Sequence, residues 1–269
     1  MPQNDIGFAG SVPALYDRLL VPLIFAPYAA DLAGRLKRLA PATILETAAG
    51  TGAVTRAMRA ALPDAAITAT DLLPPMLAQA QTRPPDGKPV IWQQADALAL
   101  PFADGSFDCV VCQFGVMFFP DRVKGLREAR RVLTRQGHFL FDVWDRIEEN
   151  HFVAVISDAL KAIYGDKAPD FMARVPHGYH DSARIDSDVR AAGFTSVQTT
   201  AVSHTARAAS AEVVASAYCQ GTPLRGEIEQ RGTPGLTEVT DIVAGALAKT
   251  FGQGPVEGQI RAYVIEASG

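Results

Sequence analysis

The stretch Ile44-Leu45-Glu46-Thr47-Ala48-Ala49-Gly50-Thr51-Gly52 constrains this chain more than any other. An apolar run closing on an acid, a loop of small residues with two glycines and a helix-forming segment read as strand, loop, helix. Small residues matter there because only a loop without bulky side chains lets backbone N–H groups approach a ligand closely. Asp71 sharpens the reading. It closes the next apolar run, Ala65-Ala66-Ile67-Thr68-Ala69-Thr70, and lies 21 residues past Gly50. That is close to the roughly 20-residue offset at which a βαβ unit presents a carboxylate to ribose hydroxyls.

The glycine spacing argues against a dinucleotide. A dinucleotide loop needs G-x-G-x-x-G, its third glycine allowing close helix–strand packing. Here Thr55 stands in the third place and Ala48 is the first small residue, so the loop reads E-x-A-x-G-x-G. Such a loop can cradle an uncharged or zwitterionic group and makes no provision for a diphosphate. A nicotinamide-dependent oxidoreductase is therefore disfavoured.

Around this loop the first half alternates strand and helix. Strands are expected near 43–48, 65–71, 89–94, 106–114 and 137–144, and helices near 28–39, 52–61, 74–82 and 121–134. Pro41, Pro63, Pro89 and Pro120 fall at the boundaries, as a residue that fits neither helix interiors nor central strands should. Phe107 to Phe114 is apolar apart from Asp108 and the terminal Gln113, which suits a central strand buried on both faces. Alternation of this kind predicts a parallel, doubly wound α/β sheet with right-handed crossovers. Ligands in such sheets bind beyond the carboxyl ends of the strands, where Glu46–Gly52, Asp71, Asp96 and Gln113–Phe114 all fall. Further on, a helix is expected over Phe152–Ile163 and another over Asp181–Gly193, ending in a glycine cap. Residues 194–205 and 259–267 read as strands, and 210–252 as mostly helical.

A second block leads further. Asp96-Ala97-Leu98-Ala99-Leu100-Pro101-Phe102-Ala103-Asp104-Gly105-Ser106-Phe107-Asp108 precedes the fourth strand, and Glu128-Ala129-Arg130-Arg131-Val132-Leu133-Thr134-Arg135-Gln136-Gly137 follows it. With these, the sequence over roughly 40–145 resembles the class I S-adenosylmethionine-dependent methyltransferases, in particular the ubiquinone/menaquinone-biosynthesis-like small-molecule branch. That branch shows acid-x-G-x-G-x-G, an acid after the second strand, L-P-F-x-D-x-S-F-D and E-x-x-R-V-L-x-x-G-G. The departures are Glu46 for the commoner Asp, Ala48 for the first Gly and Gln136 for a Gly.

The resemblance implies a Rossmann-like, seven-stranded, mostly parallel sheet with helices on both faces and a partly helical substrate cap. The chain 1–269 would be one methyltransferase domain, with core segments about 28–147 and 181–269. Cap segments would be about 1–27, 148–180 and 210–252, and the last two strands an antiparallel edge pair. The cofactor implied is S-adenosyl-L-methionine, with S-adenosyl-L-homocysteine as product. Ala48, Gly50, Thr51 and Gly52 would wrap its methionine part, and Glu46 would reach the loop amides or the ammonium. Asp71 would accept both ribose hydroxyls, a task suited to an acceptor with two oxygens. Leu72 and Met76 would flank the adenine, Asp96 would take its amino group and Ala97 would offer a backbone N–H. Gln113 would lend its carbonyl to the ammonium, Phe114 an apolar wall, and Tyr16 in Tyr16-Asp17-Arg18 would fold over the cofactor.

Composition fits an enzyme of this kind. The chain is 48% hydrophobic over 269 residues, enough for a large core. A net charge of −4 without a dense Lys/Arg cluster makes nucleic acid a poor partner. Three cysteines provide no disulfide framework and suit a reducing, cytoplasmic location. The first residues lack the basic segment of a secretion signal. The apolar run Leu19–Ala30 falls short of the ~20 residues needed to span a bilayer, so no stable membrane insertion is expected.

Catalytic residues are not encoded in a recognisable pattern. A sulfonium methyl is already electrophilic, so alignment and water exclusion are the main tasks. A base is needed only for a protonated nucleophile; His151, His177, His180, His204, Tyr16 and Tyr28 are the candidates. His177-Gly178-Tyr179-His180 lacks further ligands, and no metal site is expected. Cys109 and Cys112, three apart on a strand, point to opposite faces and read as core thiols. Phe25, Tyr28, Phe118, Phe119, Phe152, Tyr164, Phe171 and Tyr179 suggest an apolar or aromatic acceptor or, equally, ordinary packing. The expected activity is methyl transfer to a small molecule at C, O or N. The alternative is a non-catalytic protein of the same fold that binds the cofactor or its product. Oligomeric state stays open.

Overall fold

The computed structural model describes residues 7–8 and 10–269. It opens with a helical run: α1 (Val12–Leu15), a π-helical stretch (Tyr16–Phe25) and α2 (Ala26–Leu39). Pro22 lies inside the π-helical stretch, where a residue without an N–H cannot keep an α-helical ladder. The run Leu19–Ala30 is thus part of a longer helix. Val12–Leu39 could cross a membrane by length and composition alone, and 56% of its most apolar window is buried.

Next come β1 (Thr43–Glu46), α3 (Ala53–Ala61), β2 (Ala66–Asp71), α4 (Pro74–Gln81), β3 (Ile91–Gln94), β4 (Phe107–Gln113), α5 (Arg122–Val132) and β5 (Leu133–Trp144). They are followed by α6 (His151–Tyr164), α7 (Phe171–Arg174), α8 (Ser182–Ala191), β6 (Ser196–Ala208), α9 (Ala211–Gly221), α10 (Leu224–Arg231), α11 (Leu236–Phe251) and β7 (Val256–Ser268). Caps follow the local chemistry. Asp121 accepts the Lys124 N–H at the start of α5, and Asp181 those of Ala183 and Arg184 at the start of α8. Gly193, at φ +104°, closes α8 in the left-handed region, where glycine has no steric penalty.

The strands form one seven-stranded sheet of order β3-β2-β1-β4-β5-β7-β6. The pairs β1–β2, β1–β4, β2–β3 and β4–β5 are parallel, and β5–β7 is antiparallel. This is the Rossmann-like architecture expected. Two boundaries differ from expectation. β1 stops at Glu46 because Ala48 has φ +52°, which no strand accommodates. β5 begins at Leu133, before the expected 137, and its register against β4 shifts between Phe107 and Cys109.

The chain divides into two compact units. One takes Ala26–Trp144, Tyr179–Val202 and Ala262–Gly269; the other takes the chain up to Phe25, Asp145–Gly178 and Ser203–Arg261. In the first, Leu32 and Leu36 of α2, Val54 and Met58 of α3, and Ile44, Ile67, Cys109, Val111, Leu140 and Val264 of the sheet form one buried cluster. Asp108, the polar exception at the start of β4, accepts the N–H groups of Ala42 and Thr43 and the Thr43 hydroxyl, at 2.9–3.0 Å. It therefore staples the beginning of β4 to the beginning of β1. In the second unit α11 packs on α9 and α6. Phe152 meets Phe251 edge to face, with ring centroids 4.9 Å apart. Arg261 pairs with Asp145 and Glu149 there, at 3.1 and 3.2 Å.

Candidate functional site

The loop after β1 takes its shape from alternating left-handed residues: Ala48 at φ +52°, Gly50 at +57° and Gly52 at +80°. It is tied on both sides. Thr47 donates its N–H to the Val111 carbonyl of β4, and Ala49 donates to the Thr70 carbonyl of β2, each at 2.9 Å. Ala48 is an L-residue in a region that costs about 1–2 kcal/mol, and its methyl is accommodated in a specific way. A Cβ on Gly115 would lie 2.5 Å from the Ala48 Cβ and 2.6 Å from the Cys112 Sγ. The glycine after Phe114 thus leaves the room that the departure at Ala48 needs.

Asp71 closes β2 and is buried. One carboxylate oxygen accepts the Gly50 N–H and the other the Leu73 N–H, both at 2.8 Å. Burial raises its pKa, and these backbone donors oppose the rise. The acid after β2 therefore also holds the glycine loop. Leu72 beyond it is exposed, whereas Met76 on α4 is buried, with its methyl 3.6 Å from where a Gly50 Cβ would be. Past β3, exposed Asp96 accepts the Leu98 N–H at 2.8 Å, and Ala97 is half-buried.

The next turn is locked by α5. Arg131 donates to the carbonyls of Leu100 and Phe102, at 2.9 and 2.7 Å, and to Asp104 and Glu128, each at 2.8 Å. Glu128 in turn accepts the Leu100 N–H at 2.8 Å. The L-P-F-x-D turn and the E-x-x-R helix are two halves of one brace. Glu128 is held below the ordinary range, chiefly by its bond to Arg131.

Glu46 ends β1 wholly buried and accepts a short hydrogen bond from the Thr55 hydroxyl on α3. Burial pushes its pKa up to about 8 against the relief from Thr55 and Arg56. Thr55, noted in the sequence only as a missing glycine, is the buried partner of the first acid. Its signal was a hydroxyl one turn into the helix. Thr51 is also buried, and its Oγ1 has no hydrogen-bond partner among the described residues.

Gln113 and Phe114 end β4. Phe114 takes φ +51°, stacks on Trp144 with centroids 3.9 Å apart, and meets Tyr28 edge to face. Asp142 of β5, opposite Gln113 in the ladder, escaped the sequence reading. It is fully buried, and neither oxygen has a hydrogen-bond partner of good geometry among the described residues. Burial and the charge of Asp31 raise its pKa well above normal, partly offset by Arg35 and Gln113. Its signal was the one that marked Glu46 and Asp71, an acid near the end of an apolar strand.

The structure thus gathers Glu46, Ala48, Gly50, Thr51, Gly52, Asp71, Leu72, Met76, Asp96, Ala97, Gln113 and Phe114 around the carboxyl ends of β1 to β4 in one unit. Tyr16 belongs to the other unit, stacked on Phe25 at 4.9 Å. Among the base candidates, Tyr28 already donates its hydroxyl to the Val202 carbonyl at 3.0 Å. The Nδ1 of His177, in the other unit, sits 2.7 Å from the Asp145 carbonyl. His151 accepts the Gln259 N–H. Cys109 and Cys112 are free and buried, their thiols pushed up to about 12 by burial. Among the described residues no group of three His, Cys, Asp or Glu could hold a metal ion. Of the aromatics assigned to a cap, Tyr28, Phe118, Phe119 and Tyr179 lie in the sheet unit. There Tyr179 donates to Asp188 under the Arg122 guanidinium.

Residues 45–141 match the model of the methyltransferase domain family. A demethylmenaquinone methyltransferase of Thermus thermophilus is 42% identical over 102 residues, 38% of this chain and 46% of that protein. The chain thus spans about half the length of the curated relatives it matches. Among solved structures, a Haemonchus contortus phosphoethanolamine N-methyltransferase with bound S-adenosylhomocysteine superposes at a TM-score of 0.60. It is 16% identical and covers 98% of this chain and 59% of that one. The YcgJ protein of Bacillus subtilis gives 0.54 at 20% identity, over 87% and 96% of the two chains. A second demethylmenaquinone methyltransferase, from Thermotoga maritima, is 41% identical over 100 residues, 37% of this chain and 42% of that protein. Residues 45–141 are thus similar to a methyltransferase domain, and the seven-stranded sheet that holds them has the fold of the methyltransferase structures it superposes on.

Proposed function

We propose that the protein transfers a methyl group from S-adenosylmethionine to a small-molecule acceptor at carbon, oxygen or nitrogen, leaving S-adenosylhomocysteine. The observation that carries this reading is the β1 loop: three left-handed residues clipped to Asp71, with a buried, unpartnered hydroxyl on Thr51. An orphaned hydroxyl under an open backbone loop fits a ligand with polar groups of its own, so the residues present suit the cofactor.

In this reading Gly50 and Gly52 give the backbone access to the methionine part, and Glu46 faces its ammonium. Asp71, already fixed by two backbone donors, keeps lone pairs for the ribose hydroxyls. Leu72 and Met76 flank the adenine and Asp96–Ala97 read its edge, on a turn held by Arg131. When bound, the cofactor supplies a methyl group on a positively charged sulfur. The chain's own work is to orient the acceptor and keep water out. The acceptor is apolar or aromatic and not a nucleic acid, and the protein works in the cytoplasm without stable insertion into a membrane.

Isothermal titration with S-adenosylmethionine and S-adenosylhomocysteine tests the reading: micromolar, one-to-one binding is expected. Absence of binding to both overturns it. Asp71→Ala should weaken binding at least ~100-fold, about 3 kcal/mol, with the circular dichroism spectrum unchanged. Tight binding by that variant would sink the ribose assignment. The sheet unit's Tyr28 hydroxyl is already engaged, which leaves room for a second reading, a binder without transfer. Binding with no methylated product over a panel of aromatic acceptors would favour it.

A further inference from the structure

Glu46 is fully buried, 1% exposed, at the end of β1. The side chain that bonds it is a neutral one, the Thr55 hydroxyl on the first turn of α3. Other charged and titratable groups reach it from every side, and none forms an ion pair with it among the described residues. Arg56 on α3 favours its ionised form while donating to the Thr51 carbonyl at 2.8 Å. Asp71 on β2 opposes ionisation, and on β4 the Cys112 thiol is held up by burial and, to a smaller extent, by Glu46 and Asp142. A carboxylate stripped of water and given only neutral donors, the Thr55 hydroxyl and backbone N–H, is costly, and such groups hold a proton instead. Bringing a cationic amine to the loop changes that balance, since an opposite charge at short range favours the ionised carboxyl.

We propose that the Glu46–Thr55 pair makes ligand binding a proton exchange: Glu46 carries a proton while the loop is empty and releases it to solvent when an amino-acid ammonium is bound. Thr55 is the positioning residue, its hydroxyl holding the carboxyl and tuning how readily the proton leaves. The inference rests on the proposed function, because it takes an α-ammonium-bearing nucleoside as the ligand. The charges balance. A neutral acid and an ammonium become a carboxylate–ammonium pair plus one proton in the buffer. With the empty-state midpoint near 8, the exchange is nearly complete at pH 6 to 7. Affinity for such a ligand should rise about tenfold per pH unit there. A ligand without the amine should show no such rise. The pair thus selects for the amino-acid end of the ligand.

The test is calorimetry with S-adenosylhomocysteine and with 5′-methylthioadenosine, which lacks the amino acid, from pH 6 to 7.5 in buffers of different ionisation enthalpy. About one proton should be released with the first and none with the second. Glu46→Gln should abolish the release and flatten the pH dependence. Thr55→Val should weaken binding of S-adenosylhomocysteine several-fold at pH 7 and steepen its recovery towards pH 8, with Thr55→Ser restoring the wild-type profile. Binding of S-adenosylhomocysteine without proton release, or equal release with both ligands, overturns the inference and leaves the proposed function standing. No binding at any pH overturns both.

Discussion

The two ends of the strand rim carry their acids in different ways. On the β1–β2 side Glu46 and Asp71 are both buried, and both are bonded: one to Thr55, the other to the N–H groups of Gly50 and Leu73. On the β4–β5 side Asp142 is as deeply buried and has no well-placed hydrogen-bond partner among the described residues. A buried acid near the end of a strand is scaffold on one side of the sheet and a liability on the other. The difference lies in the segment after each strand. A glycine loop brings backbone N–H groups to a carboxylate, whereas the Phe114, Trp144 and Tyr28 rings close the other end and leave Asp142 the Gln113 side chain across the ladder.

Four substitutions probe this contrast. Arg131→Ala would have the largest effect on stability, because the guanidinium bonds two carbonyls and two carboxylates of the turn after β3. Discounting for its partial exposure, about 2–3 kcal/mol is expected, read as a lower denaturation midpoint with weaker cofactor binding. An unchanged midpoint would mean the brace is decorative.

Gly115→Ala comes next. The new methyl would have to displace Ala48 or Cys112, costing about 1–3 kcal/mol. Adding Ala48→Gly should recover part of that loss. Strict additivity of the two would show that they do not share the space.

Asp142→Leu should stabilise by about 1–2 kcal/mol at pH 7, a rise of roughly 2–8 °C in Tm for a chain this size. The sign with pH follows from the raised pKa. The folded protein holds a proton that the unfolded chain gives up above its ordinary carboxylate value. Asp142 therefore lowers stability progressively as pH rises from about 4. The variant should lose that part of the decline between pH 5 and 8 in thermal melts, and an identical decline would show Asp142 already ionised.

The smallest effect is expected for Ala48→Gly alone. Relief at φ +52° is offset by the greater freedom of glycine in the unfolded chain, leaving under about 1 kcal/mol of stabilisation. A measured loss would show that the Ala48 methyl contributes packing worth more than its strain.

Much of this was legible in the sequence for identifiable reasons. Prolines 41, 63, 89 and 120 and the period of the apolar runs set the alternation that became β1 to β5 with α3 to α5 between them. Their boundaries slipped where local geometry intervened, as at Ala48 and at the shifted register of β4 and β5. Asp108, in the sequence only a polar exception in an apolar run, proved to be a staple between residues 65 apart in the chain. Thr55 looked like the loss of a glycine and proved to be the partner of Glu46. At the N-terminus the apolar run Leu19–Ala30 and the helix that carries it, Val12–Leu39, do not share ends.

The sequence by itself determined the parallel sheet, the order of loops along its rim and the residue types those loops present, because these follow from short-range periodicity and from where glycine, proline and small residues fall. Only the tertiary structure decided which acids are paired, which hold a proton, and how Gly115 makes room for Ala48. Those outcomes depend on burial and on donors supplied across the sheet, by Gly50 to Asp71, by Arg131 to the turn after β3, and by no well-placed group to Asp142.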